Sequence, residues 1–242
     1  MTRLYQKIPL AIHQTIELDA KASHHVMTVL RASVGDSLVL FNGEGGEYHA
    51  VIREINKKKV VVQIKTFVPR EAKSSLDLHL AQGIARGEKM DFIIQKAVEL
   101  GVNHITPLIT ERCNVRLQED RSEKRYLHWQ SVIISACEQT GRNDIPHLSR
   151  PVRFDDWILT IQADEIFILS PHVEQTLADY PIAEKASILL VIGPEGGLSP
   201  SEIEAVMHHG GKPLHLGPRI LRTETAALAM IAALQARNGD FC

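Results

Sequence analysis

Two glycine-proline turns carry the residues best suited to chemistry. One is IGPEGGLSPSEIE (192–204) and the other LGPRILRTETAALAMIAAL (216–234). The first places Glu195 in a glycine-rich loop between an apolar run and a helix start, and the second places Arg219, Arg222 and Glu224 ahead of an apolar stretch. GPEGG lacks the Lys-Ser/Thr of a phosphate-binding P-loop and does not match G-x-G-x-x-G. An anionic Glu195 would repel a phosphate, so a neutral or cationic ligand suits the loop better. A tight strand-to-helix turn with Glu195 solvated would account for the first loop alone. The second Gly-Pro turn shifts the reading, because two such turns at the edge of a sheet could wrap a flat ring through backbone groups.

The elements that position these turns read clearly. Leu198-Ser199-Pro200-Ser201-Glu202-Ile203 combines an N-cap, proline at the first helical position, a capping box and a hydrophobic staple. EIFILS (165–170) and SILLVIG (187–193) read as buried strands, with a short strand PLHLG (213–217) after the helix near 200–209. Upstream, LDLHLAQGIA (76–85) and HITPLIT (104–110) are strands. EKMDFIIQKAVELG (88–101) and SEKRYLHWQSVIISACEQ (122–139) are helices, the former stopped by Gly101. The alternation predicts an α/β layer fold with a mainly parallel sheet. The last stretch, Ala226–Leu234, has no polar residue on any face, which predicts a helix buried all round.

Residues 1–72 read differently. LVLF (38–41), YHAVIREI (48–55) and KVVVQIK (59–65) are strand-like between the turns NGEGG and NKKK, and a short helix is expected at 23–31 with Ser23 as N-cap. Several short strands predict a small barrel, and KTFVPREAKSS (65–75) marks the boundary with a second domain over 73–242.

Composition excludes several classes. The chain has 242 residues, 44% hydrophobic and 23% charged. Cys113, Cys137 and Cys242 form no C-x-x-C pair, so neither a disulfide framework nor a zinc site is expected, and a cytoplasmic location is the default. Cys137 reads as a core residue. The adjacent pairs His24-His25 and His208-His209 face different directions, so no metal is expected. No apolar run approaches the ~18 residues of a membrane span, and the N-terminus carries no signal-peptide core. Net charge is −2, but residues 1–72 hold 10 Lys and Arg against 7 Asp and Glu, while the remainder holds 17 against 22. A polyanion would favour the N-terminal part. Lys57 and Lys58, with Lys59, form a hairpin tip that serves as a solvated turn or a phosphate contact. Lys96 and Glu99 read as surface charges on a helix.

The two signature loops resemble those of the SPOUT RNA methyltransferases, and more closely the RsmE type. RGEKMDFIIQKAVELGVNHITPLITERC (86–113), ACEQTGRNDIP (136–146) and HHVMTVLRASVGDSLVLFNGEGGEYHAVI (24–52) resemble the same family in the same order. The resemblance implies a PUA-like β-barrel RNA-binding domain over 1–72 and a SPOUT methyltransferase domain over 73–242 with a C-terminal trefoil knot. It implies S-adenosylmethionine as cofactor, a homodimer whose site draws on both subunits, and uridine N3 of small-subunit ribosomal RNA as target. Either the RNA or the assembled small subunit would be the partner. A ribose 2'-O methyltransferase of the same superfamily, a non-catalytic RNA-binding protein and a nucleotide-binding α/β enzyme are the alternatives.

Carried onto this chain, the resemblance implies cofactor contacts at Leu169, Ser170, Ile192, Gly193, Pro194, Glu195, Gly196, Gly197, Leu216, Gly217, Pro218, Ile220 and Leu221. RNA contacts are expected from Arg3, Arg31, Arg112 and Arg219. Uracil N3 must lose a proton before it attacks, and charge then spreads onto the flanking carbonyl oxygens. A fixed donor there acts on the logic of an oxyanion hole. Arg222 and Arg219 are the nearest candidates, with Arg142 arriving from a partner subunit. Glu195 or Glu224 would serve as base or orient an arginine, and an acid such as Glu224 in a first helical turn also favours the helix dipole.

Overall fold

The computed structural model describes residues 1–113, 119–170 and 173–241. Cys242 lies outside them. The chain forms two compact units, Met1–Lys73 with Cys137–Ile145, and Ser74–Ala136 with Pro146–Cys242. The first unit thus includes a return of the chain after Ala136, which a single boundary near residue 72 does not anticipate. The reason is tertiary. Asn143 donates to the Arg70 carbonyl at 2.5 Å, and the Tyr5 N–H donates to Glu138 at 3.0 Å.

The first unit is a five-stranded sheet built from β1 (Arg3–Tyr5), β2 (Thr15–Glu17), β3 (Ser37–Phe41), β4 (Glu47–Asn56) and β5 (Lys59–Val68), in the order β1-β3-β4-β5-β2. Its edges meet through side chains. Gln6, just after β1, donates to Asp19 at 3.1 Å and accepts from the Asp19 N–H at 3.1 Å. Leu40, Ile52, Val60, Val62 and Ile64 fill the core with Val26. The helix expected at 23–31 starts earlier. Asp19 caps α1 (Ala20–His24) by accepting from the Ala22 N–H, and the helix runs on as a π-turn over His25–Val29. Ser23 lies inside it and is buried. Its hydroxyl donates to the Leu18 carbonyl and accepts from the Val60 N–H, so it ties the helix to β5 instead of capping it.

The second unit has β6 (Asp77–Gly83), α2 (Glu88–Glu99), β7 (His104–Ile109), α3 (Glu119–Thr140) as far as Ala136, β8 (His147–Leu148), β9 (Val152–Arg153) and α4 (Phe154–Trp157). Then come β10 (Glu165–Leu169), β11 (Ser187–Ile192), α5 (Pro200–His208), β12 (Lys212–Leu214) and α6 (Thr223–Asn238). The sheet is parallel throughout, in the order β12-β10-β11-β6-β7-β8, with β9 also on β7. α5 starts as the sequence predicts, with Ser199 capping, Pro200 in the first turn and Glu202 completing the box. No helix among the described residues is long and apolar enough to cross a membrane.

The last helix departs from expectation. Thr223, Ala227, Met230, Ile231, Leu234 and Gln235 are buried along one stripe against α2. Leu228, Ala229, Ala232 and Ala233 on the other side are only half-buried, and Thr225 and Ala236 are exposed. A single chain covers one side of a helix that is apolar on both. The buried stripe also holds two polar groups. Gln235 donates to the Leu100 carbonyl at 2.8 Å and accepts from Ser74 at 2.9 Å.

The parallel register places three imidazoles in a row. His79 pairs with His104 and His104 with His147; the first two rings stack at 3.9 Å and the second pair meet edge-on at 4.5 Å. His79 shares a hydrogen bond with Thr106, and His104 one with Ser149. Burial, then the charges of His104 and His147, hold His79 down at about 3; burial and His147 hold His104 at about 4, against an upward pull from Asp77. The unfolded chain binds these protons more readily, so stability is complete above the ordinary histidine range and falls as pH drops below about 6.5. His79 alone should cost about 2 kcal/mol between pH 7 and 5. Denaturant titration at both values should show this loss, and His79→Asn should flatten it; an unchanged slope in the variant would assign the acid sensitivity elsewhere.

Candidate functional site: a cleft at the ends of β10, β11 and β12

The parallel strands deliver their C-terminal ends to one cleft of about 530 Å³, the usual ligand position in such sheets. Leu169 ends β10 and Ser170 follows it, Ile192 ends β11 ahead of Gly193 to Gly197, and Leu214 ends β12 ahead of the turn that leads to Thr223. All the proposed cofactor-contact residues line it except Pro218, which is exposed in the same turn. Ser170 is buried, and its N–H donates to the Leu214 carbonyl, which fixes the spacing of the two loops.

The GPEGG loop is held from below and from the side. Gln82, fully buried at the end of β6, donates to Thr223 Oγ1 and the Gly83 carbonyl, both at 2.9 Å. Thr223 Oγ1 in turn donates to the Gly193 carbonyl at 2.6 Å. The first residue of α6 is thereby pinned under the loop after β11. A Cβ on Gly83 would sit 2.5 Å from Pro194, so only glycine allows β6 this close. Gly197 has φ +70° and closes the turn by donating to the Pro194 carbonyl. From the side, Arg112 donates to the Gly196 carbonyl at 3.1 Å.

Charge gathers at the rim. Glu195 accepts from the Arg86 N–H at 3.1 Å and from Lys89 at 3.3 Å. Burial pulls its carboxyl upward, but the Arg86 and Glu195 N–H groups and the Lys89 ammonium outweigh this, and the net displacement is downward. Glu195 is therefore an ionised orienting group, a weak proton acceptor at neutral pH. Arg222 occupies the N-cap position of α6, where its carbonyl accepts from the Ala226 N–H at 2.8 Å. Its side chain is exposed and lines the cleft, without an ion pair among the described residues. Arg219 lines the same rim.

Other candidates lie elsewhere. Glu224 is not among the residues that line the cleft, and its Oε2 is buried without a partner among the described residues. Arg142 belongs to the first unit, buried, with its guanidinium on Asp144 at 2.7 Å. Arg3 is not a surface group. Its guanidinium pairs with Glu47, donates to Asn143 and lies over the Phe41 ring, which ties β1 to the returning chain. Arg31, Lys57 and Lys58 are exposed on the first unit, and Arg31 adopts a positive φ of 50°. Lys96 and Glu99 pair with each other. Cys137 is a core thiol, pushed up to about 12 chiefly by burial. Sequence reasoning missed Gln82, Lys89 and Thr223; only RGEKMDF, quoted for its resemblance, hinted at Lys89. No three His, Cys, Asp or Glu among the described residues are grouped to hold a metal.

Residues 72–235 match the RNA methyltransferase domain family, and residues 18–65 match the RNA methyltransferase PUA domain. A ribosomal RNA small subunit methyltransferase E of Buchnera aphidicola is 41% identical, over 98% of this chain and 97% of that one. The chain belongs to the ribosomal RNA small subunit methyltransferase E family. Two solved structures superpose closely on this chain. The Neisseria gonorrhoeae enzyme, bound to S-adenosyl methionine, matches with a TM-score of 0.92 and 36% identity, covering 100% of both chains. A Legionella pneumophila methyltransferase, solved in complex with the cofactor SAM, matches with a TM-score of 0.96 and 44% identity, covering 99% of each chain. The two units are accordingly a PUA-like domain and a SPOUT-type α/β methyltransferase domain.

Proposed function

We propose that this protein transfers a methyl group from S-adenosylmethionine to N3 of a uridine in small-subunit ribosomal RNA. The observation that carries the reading is the cleft itself, whose glycine loops, apolar walls and cationic rim lie in the domain the family shares. The residues present fit the cofactor. The volume suits a small molecule, and Leu169, Ile192, Leu214, Leu216 and Leu221 offer apolar walls to a purine. An ionised Glu195 at the rim favours a sulfonium over a phosphate. Bound there, the cofactor supplies an activated methyl group, and the remaining work is positioning.

The chain's own groups supply that positioning. Gln82 and Thr223 hold the Gly193 carbonyl, Arg112 holds the Gly196 carbonyl, and Lys89 and Arg86 hold Glu195. Arg222 and Arg219 offer guanidinium donors to the uracil oxygens as N3 loses its proton. Exposed Arg31, Lys57 and Lys58 and the positive balance of residues 1–72 suit the phosphate backbone. Incubating the protein with labelled cofactor and unmodified small subunits, beside free RNA, tests the reading. Label recovered in 3-methyluridine is expected; label in a ribose methyl, or none, would overturn it.

The half-covered face of α6 supports a homodimer, since Leu228, Ala229, Ala232 and Ala233 leave an apolar strip open on one chain. We take the passage of the final helix beneath the Gly193–Gly197 loop as the threading of a trefoil knot; Arg142, buried on Asp144 in its own chain, is not the group that a second copy would lend to the site. Such a protein works where ribosomes are assembled, in the cytoplasm. Light scattering at micromolar concentration should give twice the 27.0 kDa chain mass. A stable, active monomer would refute the dimer.

A further inference from the structure

A second cleft of about 630 Å³ is lined by residues that adjoin those of the first. Arg112 and Leu198 line the first, while the adjoining Glu111 and the α5 residues Ser201 and Glu202 line the second. The Glu111 N–H donates to Glu202 at 2.8 Å, so the wall between them is fixed. The floor is Thr110, just past β7, with Phe154 and Ile158 of the α4 region opposite. Strand alternation puts Thr110 on the face of Leu108, which packs with Phe154 and Ile158. Thr110 is only 5% exposed, and its hydroxyl has no hydrogen-bond partner among the described residues. A buried hydroxyl left unpaired is costly, and here it belongs to a cleft wall at the C-terminal end of a parallel strand.

We infer that this cleft receives a nucleobase flanking the target uridine, and that the base is one bearing an exocyclic amino group. The inference rests on the RNA methyltransferase reading above. Charge decides which part of the nucleotide enters. Among the described residues, Glu111, Asp155 and Glu202 face the cleft against a single cation, Arg153, itself 3.3 Å from Asp155. That balance repels phosphate. Glu202 is already taken by the N–H groups of Glu111 and Ser199, and Asp155 by Arg153, which leaves the unpaired Thr110 hydroxyl and the Glu111 carboxylate as acceptors. Carboxylates accept from exocyclic amines such as cytosine N4. Uracil has no such amine. Phe154 and Ile158 supply apolar walls for a ring, and single-stranded bases splayed from their neighbours are the usual objects of sequence reading in RNA.

Thr110→Val keeps shape and removes the hydroxyl, so it tests the pocket without a cavity. Methylation kinetics of wild type and variant should be run on small subunits carrying single flanking bases changed to uracil. The variant should show a roughly tenfold higher KM for unmodified-sequence subunits, with cofactor affinity and kcat unchanged and a thermal midpoint no lower than that of wild type. At one flanking position the uracil change should raise the wild-type KM by a similar factor and leave the variant's KM unaffected. An unchanged KM in the variant overturns the inference. So does a raised KM that no base change masks, because the occupant would then be protein or backbone. Wild type that methylates no RNA would instead refute the underlying function.

Discussion

Arg222→Ala is expected to reduce the single-turnover methylation rate at saturating cofactor by roughly 10²–10³, the usual consequence of losing one preorganised donor, while cofactor affinity stays within about twofold. The backbone of Arg222 is held in place as the N-cap of α6 through its carbonyl, and Thr223 beside it is pinned to Gly193. The side chain is free of that framework. Glu195 is engaged by Arg86 and Lys89, and Glu224 Oε2 has no partner among the described residues, so truncation breaks no ion pair between the loops. What it removes is a planar fork of donors at the rim where charge develops on the uracil oxygens. Arg222→Lys should restore only part of the rate, because an ammonium lacks the fork. A normal rate at saturation would take Arg222 out of the mechanism. A parallel fall in cofactor affinity and thermal stability would make it a structural clasp instead.

Gly197→Val should weaken S-adenosylmethionine binding by about 10–10²-fold, corresponding to the 1–3 kcal/mol that an unfavourable backbone conformation costs. Steric overlap is not the cause, since a Cβ at Gly197 meets nothing within 4 Å. The cause is φ +70°, which a β-branched residue resists. Relief of that strain moves the 193–197 loop and the backbone groups it presents to the cleft. Gly210 provides the control. It has φ +85° with equally open surroundings and lies outside the cleft, so Gly210→Val should lose similar stability and retain cofactor affinity. Calorimetric titration of both variants checks this. Equal affinities in the two would reduce GPEGG to a simple turn.

A lone monomer, an unchanged acid slope in His79→Asn or an indifferent Thr110→Val would each remove one part of the picture without touching these two results.

Local chemistry made much of this protein legible in its sequence. The Ser199-Pro200-Glu202 signals specify the start of α5 whatever surrounds it, because the capping hydrogen bonds lie within four residues. The apolar runs of β10 and β11 read as covered strands because their burial is continuous. The two Gly-Pro turns marked the cleft, since their composition serves little else. Where the sequence alone fell short, the deciding contacts join residues far apart in the chain. Arg3 resembles any basic residue until Glu47 and Asn143 close around it. Ser23 has the type of an N-cap, but Asp19 comes first and the Ser23 hydroxyl is claimed by Leu18 and Val60. Gln82 and Thr223 acquire a role only because β6, β11 and α6 converge at Gly193. The final helix, apolar on every side, announced that it would be covered. Which side the chain covers itself, and which it leaves for another surface, was set by the packing of one stripe against α2.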